Sequence, residues 1–238
     1  MFETSVFVLN RAERGEADYL LNCYTRELGF LRVRVPGVRK ERAKLRGHIE
    51  PHTKTELSLV EGRGGLIATS AELAESYPAI GASLEKQIVA ARISEIVARV
   101  FFREEDIAVW GLLESFFAAL DSADNSLKHL QAIEWWAAVR LLAHLGYRPS
   151  SDTLFLATPR LRKLFHFYET TPAAHATDID VPSAGIPAVA SAIMQSFQYH
   201  CRERFEFLLF VQHTPLQAAG STNEFYSVSR AGYNVEHE

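Results

Sequence analysis

Phe30-Leu31-Arg32-Val33-Arg34-Val35-Pro36-Gly37 is the stretch that decides the fold of this 238-residue chain. Leu31, Val33 and Val35 alternate with Arg32 and Arg34, and a period of two gives a strand one apolar and one basic face. Pro36-Gly37 closes the strand, because proline lacks a ladder donor and glycine takes turn conformations. Upstream, residues 4–9 are β-branched and aromatic and read as a strand, as does Asp18 to Thr25, with turns at Gly15 and Gly29. Downstream, a charged loop runs to Gly47. Thr53 to Val60 then repeats the alternation, and Glu61-Gly62-Arg63-Gly64-Gly65 turns into a last strand, Leu66 to Glu72. Five short strands with glycine turns in about 75 residues suit a small closed barrel such as an OB-fold.

Beyond Pro78 the period changes. Leu84, Ile88 and Ala91, with the adjoining row Val89, Ile93, Ile96 and Val100, form a stripe at helical spacing. A second helix is expected over Ile107 to Leu120. A third follows Asn125 or Ser126 as cap, carries Leu127, Leu130, Ile133, Ala137, Leu141 and Leu145, and stops at Gly146. Pro187 opens a last helix to about Cys201, where its missing N–H costs nothing. The expected class is therefore α+β: an OB-fold barrel over residues 1–80, then an α-helical domain over 81–238. An irregular, Pro-rich insertion is expected at about 148–186.

Composition sets outer bounds. With 47% hydrophobic and 23% charged residues the chain reads as ordinary globular protein. No apolar run approaches a bilayer span, and Met1-Phe2-Glu3 does not open a signal peptide. Cys23 and Cys201 are the only cysteines, which argues against a disulfide framework or zinc ribbon and for a reduced, cytoplasmic protein. Net charge is −4, yet residues 1–80 hold 12 Lys and Arg against 11 Asp and Glu, leaving −5 for the remainder. Arg32, Arg34, Arg39, Lys40, Arg42, Lys44 and Arg46 crowd one stretch, opposed only by Glu41. A local field of that kind matters more to a phosphate backbone than a whole-chain average.

The order of short motifs resembles the RecO family. Val8-Leu9, Gly15-Glu16-Ala17-Asp18 and Tyr24-Thr25-Arg26-Glu27-Leu28-Gly29 precede the basic hairpin. Pro36-Gly37-Val38-Arg39-Lys40, Leu45-Arg46-Gly47, Glu50-Pro51-His52-Thr53 and Gly62-Arg63-Gly64 follow it. Ala143-His144-Leu145-Gly146-Tyr147-Arg148-Pro149 resembles the end of that family's central helical block. The resemblance implies a non-enzymatic DNA repair and recombination mediator that binds single- and double-stranded DNA and anneals complementary strands. It also implies work with RecR and the single-stranded-DNA-binding protein during RecA loading, in a cytoplasmic, nucleoid-associated setting. Many members carry a four-cysteine zinc element after the Leu-Gly-Tyr stretch. This chain has no cysteine there, so no metal and no cofactor are expected.

Positioned Lys and Arg neutralise phosphates and release counterions, and arginine adds a fork matched to phosphate oxygens. The seven basic residues are thus the expected nucleic-acid contacts, set against the simpler reading of a solvated charged loop. Phe30 and Tyr24 are candidate stacking platforms, but barrel-core residues in the plainer reading. There is no GxxxxGK[ST], GxSxG or HExxH, and the nine histidines show no ligand spacing, so neither a catalytic site nor a small-molecule substrate is expected. Two rival readings stand beside DNA binding. One is an OB-plus-helix adaptor for protein partners alone; the other is a metal nuclease using Asp178 and Asp180.

Overall fold

The computed structural model describes residues 1–39, 45–100, 106–148, 150 and 158–201. Strands β1 (Phe2–Arg14), β2 (Asp18–Thr25), β3 (Gly29–Val35), β4 (Lys54–Gly62) and β5 (Gly65–Glu75) close into a barrel in the order β1-β2-β3-β5-β4. Every neighbouring pair is antiparallel except β3 and β5, which run parallel at Val33 to Leu66 and Arg34 to Ile67. The barrel is an OB-fold, and with the helices that follow it the chain is α+β. β1 is longer than its apolar run because it serves two neighbours. Phe2 to Phe7 pair with β4, Val6 to Arg14 pair with β2, and the register shifts between Val8 and Asn10 where the strand changes partner.

The period-two pattern places Val33 and Val35 inside the barrel with Val6, Val8, Leu21 and Cys23. Val38 and Ile49, on either side of the charged loop, also reach that interior. Gly37 sits at φ +68°, a left-handed turn conformation that would strain any side chain.

Among the described residues six α-helices follow: α1 (Pro78–Ala82), α2 (Leu84–Val100), α3 (Ile107–Ser122), α4 (Leu127–His144), α5 (Pro159–Thr170) and α6 (Ile186–His200). Asp106 caps α3 through Ala108 N–H at 2.8 Å and Val109 N–H at 3.3 Å; Ser126 rather than Asn125 caps α4. Gly146, at φ +85°, ends the run as its spacing predicts. α4 packs against α2, α3, α5 and α6, so it is buried on most of its circumference rather than along one stripe. The buried Lys86 of α2 donates from Nζ to the carbonyls of Asp121 and Ala123, both at 2.7 Å, and so satisfies the end of α3. No helix among the described residues is long and apolar enough to cross a membrane.

The stretch expected to be irregular, about 148–186, contains α5, and this corrects the sequence reading. Thr158 caps the helix, Pro159 occupies its first turn, and Leu164, Phe165 and Tyr168 bury one face against α4.

A second core joins barrel to helices. Phe7, Leu9, Tyr24 and Phe30 point outward from the barrel into one continuous cluster with α2, α3 and α4. Phe7 lies 4.6 Å from Trp110 and 5.4 Å from Phe117, ring to ring, and Phe117 also stacks on Tyr77 at 5.4 Å. Tyr24 and Phe30 are therefore neither stacking platforms nor barrel filling. They are cross-strand partners whose rings are covered by the helical body.

Candidate nucleic-acid interface

The β2–β3 surface divides in two. Its Tyr24–Phe30 end lies under the helices, while Arg32 and Arg34 stand exposed at the other, opposite Asn22 and Leu20 on β2. The pleat alone dictates this, since Leu31, Val33 and Val35 turn inward and the residues between them turn out.

The basic residues are not equivalent. Arg34 is held by Asp18, with Nε and Nη2 each 2.7 Å from Oδ2. The other oxygen of Asp18 accepts the Gly37 N–H at 2.8 Å. That backbone donor first, and the Arg34 guanidinium second, hold the Asp18 carboxyl below the usual carboxylate range. Arg39 is braced as well: Nη2 lies 3.1 Å from Glu13, and Nη1 donates to the Gly15 carbonyl at 3.1 Å. Both clamps tie the charged connection to the β1–β2 turn. They also neutralise part of its charge, and the carboxylates concerned lie 16 and 26 residues away in sequence.

Lys40, Arg42 and Lys44 lie outside the described residues. The positions flanking them are firmly placed. The Arg39 N–H donates to the Ala17 carbonyl at 2.9 Å, and Val38 is buried. On the far side Arg46 is exposed on a short 3-10 turn, Arg46–His48, which His48 pins to the barrel. The His48 Nδ1 accepts the Leu73 N–H at 3.1 Å, and the His48 carbonyl accepts the Thr55 hydroxyl at 2.7 Å. Arg63 joins this side of the barrel unforeseen. It is exposed in the β4–β5 turn, and the parallel register of Val33 with Leu66 brings that turn to the Arg32 side of β3. The Gly62–Gly65 signature revealed the turn, but only the barrel closure shows what it adjoins.

His52 lies at the barrel–helix joint, buried 6.0 Å from the Phe117 ring and at φ +62°. Burial pushes its imidazole down from 6.5 to about 4. The unfolded chain therefore takes up a proton near pH 6.5 while the folded chain resists until about 4. This contribution to stability is complete above 6.5 and is lost as pH falls through that window, by roughly 3 kcal/mol at most. Urea unfolding between pH 7 and 4 should show the loss in the wild type and a shallower pH slope in His52→Asn, since asparagine tolerates this backbone. Equal slopes in the two proteins would remove His52 from the account.

The other polar candidates are engaged locally. Asp178 pairs with His175 at 2.9 Å and Asp180 with Lys128. Tyr147 stacks on His200 at 3.9 Å. Among the described residues no three His, Cys, Asp or Glu side chains are grouped to hold a metal.

A closed five-stranded barrel with basic side chains on β3 and on the β3–β4 connection, fused through an aromatic joint to a helical body, defines a protein of the OB-fold class. Residues 1–77 match the family model described as Recombination protein O N terminal. The chain is 33% identical over 150 residues to a DNA repair protein RecO of Roseiflexus sp., covering 63% of this chain and 51% of that one. It is 26% identical over 167 residues to the DNA repair protein RecO of Dehalococcoides mccartyi strain CBDB1, covering 70% and 65%. With that of Syntrophus aciditrophicus it shares 26% over 188 residues, covering 72% and 71%. The chain is thus similar to RecO proteins over its barrel and the helices next to it, and it spans less than two thirds of the length of the Dehalococcoides and Roseiflexus relatives it matches.

Proposed function

We propose that this protein is a DNA-binding recombination mediator in DNA repair, acting without a covalent step. The observation that carries the reading is the basic side of a RecO-type barrel. Arg32 and Arg34 face outward from β3, Arg46 is exposed on a pinned turn, and Lys40, Arg42 and Lys44 fall in the stretch between fixed anchors. Arg39 braces that connection, and Arg63 extends the surface. Such a surface captures phosphates by charge and position, without reading bases. Single- and double-stranded DNA are the proposed ligands, annealing of complementary strands is the proposed outcome, and a cytoplasmic, nucleoid-associated setting follows from that work. RecR and the single-stranded-DNA-binding protein are the proposed protein partners, as the resemblance to RecO implies.

The test is a titration of a labelled single strand at several salt concentrations. About five or six phosphate contacts give a log–log slope near −4, at roughly 0.7 per contact. Affinity should be similar for unrelated sequences. No binding at about 50 mM salt, where electrostatic capture is strongest, would favour an adaptor that meets only proteins.

A further inference from the structure

We propose that the outward face of α5 is a second phosphate-binding surface, which lets one molecule hold a second nucleic-acid strand while the barrel holds the first. The proposal rests on the function proposed above, but it concerns a different part of the molecule. Leu164, Phe165 and Tyr168 turn inward. Helical spacing then sends Lys163 and His166 directly outward, with Arg160 and Arg162 on the two margins of that face. Arg160, Lys163 and His166 are exposed, and Arg162 is half-buried. Among the described residues no carboxylate pairs with Arg160, Arg162 or Lys163. Glu169, the sole acid of α5, is occupied by Ser150, whose N–H and hydroxyl donate at 2.8 and 2.5 Å. In a chain whose residues 81–238 carry −5, this is a concentrated positive surface, uncompensated among the described residues.

The helix is also well seated. Trp136 Nε1 and Arg140 Nη2 of α4 donate to the Thr171 carbonyl just past its end, at 2.7 and 3.2 Å. From Arg160 to His166 the face runs about 9 Å along the axis, the reach of two or three successive phosphates on one strand. Its place in the fold makes it separate. The barrel packs on α2, and through Phe7 and Lys54 on α3, whereas α5 packs on α4. One strand on the barrel therefore leaves the α5 face open to another.

The experiment is a two-strand capture. An immobilised single strand retains the protein, and retention of a second, labelled, non-complementary strand is measured for wild type and for the Arg160→Glu/Lys163→Glu pair. Glutamate at 160, in the first turn, suits the helix dipole, and Lys163 is exposed, so α5 should keep its fold. An Arg160→Gln/Lys163→Gln pair gives the same readout with less charge change. The proposal expects first-strand affinity within about twofold of wild type and second-strand retention down at least about tenfold, from two lost contacts. Undiminished second-strand retention overturns the α5 surface and leaves the barrel reading intact. Equal loss of both strands overturns the idea of two separate surfaces. A wild type that retains no DNA overturns this proposal together with the function on which it rests.

Discussion

Phe117→Ala should lower the stability of the whole protein by about 3–5 kcal/mol, a large share of what holds a domain folded. Phe117 is fully buried where the aromatic joint is densest, with Phe7, Tyr77, Phe116 and His52 all ring-to-ring with it within 6.0 Å. Its loss removes apolar contact and opens a cavity between two rigid bodies that cannot both collapse into it. Because one core runs from the outer face of the barrel into α4, barrel and helices should unfold in a single transition. Two natural probes separate them. Trp110, Trp135 and Trp136 report on the helices, and the Cys23 thiol, fully buried inside the barrel, reports on the strands in a Cys201→Ser background. In urea the fluorescence change and the exposure of Cys23 should coincide, and both should move to lower denaturant in Phe117→Ala. A barrel that keeps Cys23 protected after the tryptophans are exposed would show that the joint does not couple them.

The barrel is legible in the sequence because its strands obey period two and its turns carry glycine; Val33 and Val35 fall inward as the alternation requires. What cannot be read from spacing is which outer faces the helices cover. Val6, Phe7, Val8 and Leu9 are all buried in succession, which means both faces of β1 are covered. That uninterrupted run is the signal for the joint, yet it names no partner. α5 carries a stronger signal. Leu161, Leu164, Phe165 and Tyr168 stand at i, i+3, i+4 and i+7 behind Thr158-Pro159, and only the prolines and polar residues around them suggest a loop. The basic stretch is legible as charge but not as geometry. Asp18 and Glu13 reach Arg34 and Arg39 through strand pairing, so the degree of neutralisation appears only once the barrel is closed.

Replacing Lys40, Arg42 and Arg46 together with alanine should weaken binding of a single strand by about a hundredfold at 0.1 M salt, converging with wild type toward 1 M. Arg39 is left in place because its contacts with Glu13 and Gly15 brace the connection, and its removal would confuse lost charge with lost structure. The three replacements should cost little stability, since exposed charges contribute little to folding. Loss should be the same for unrelated sequences, because phosphate contacts carry no base information. The most direct measurement is the slope of log affinity against log salt for wild type and this triple variant, on one labelled oligonucleotide. The account predicts a slope near −4 that flattens by about two units, at roughly 0.7 per lost contact. An unchanged slope and affinity would contradict it, leaving the basic stretch as a solvated loop and placing any DNA site elsewhere on the molecule.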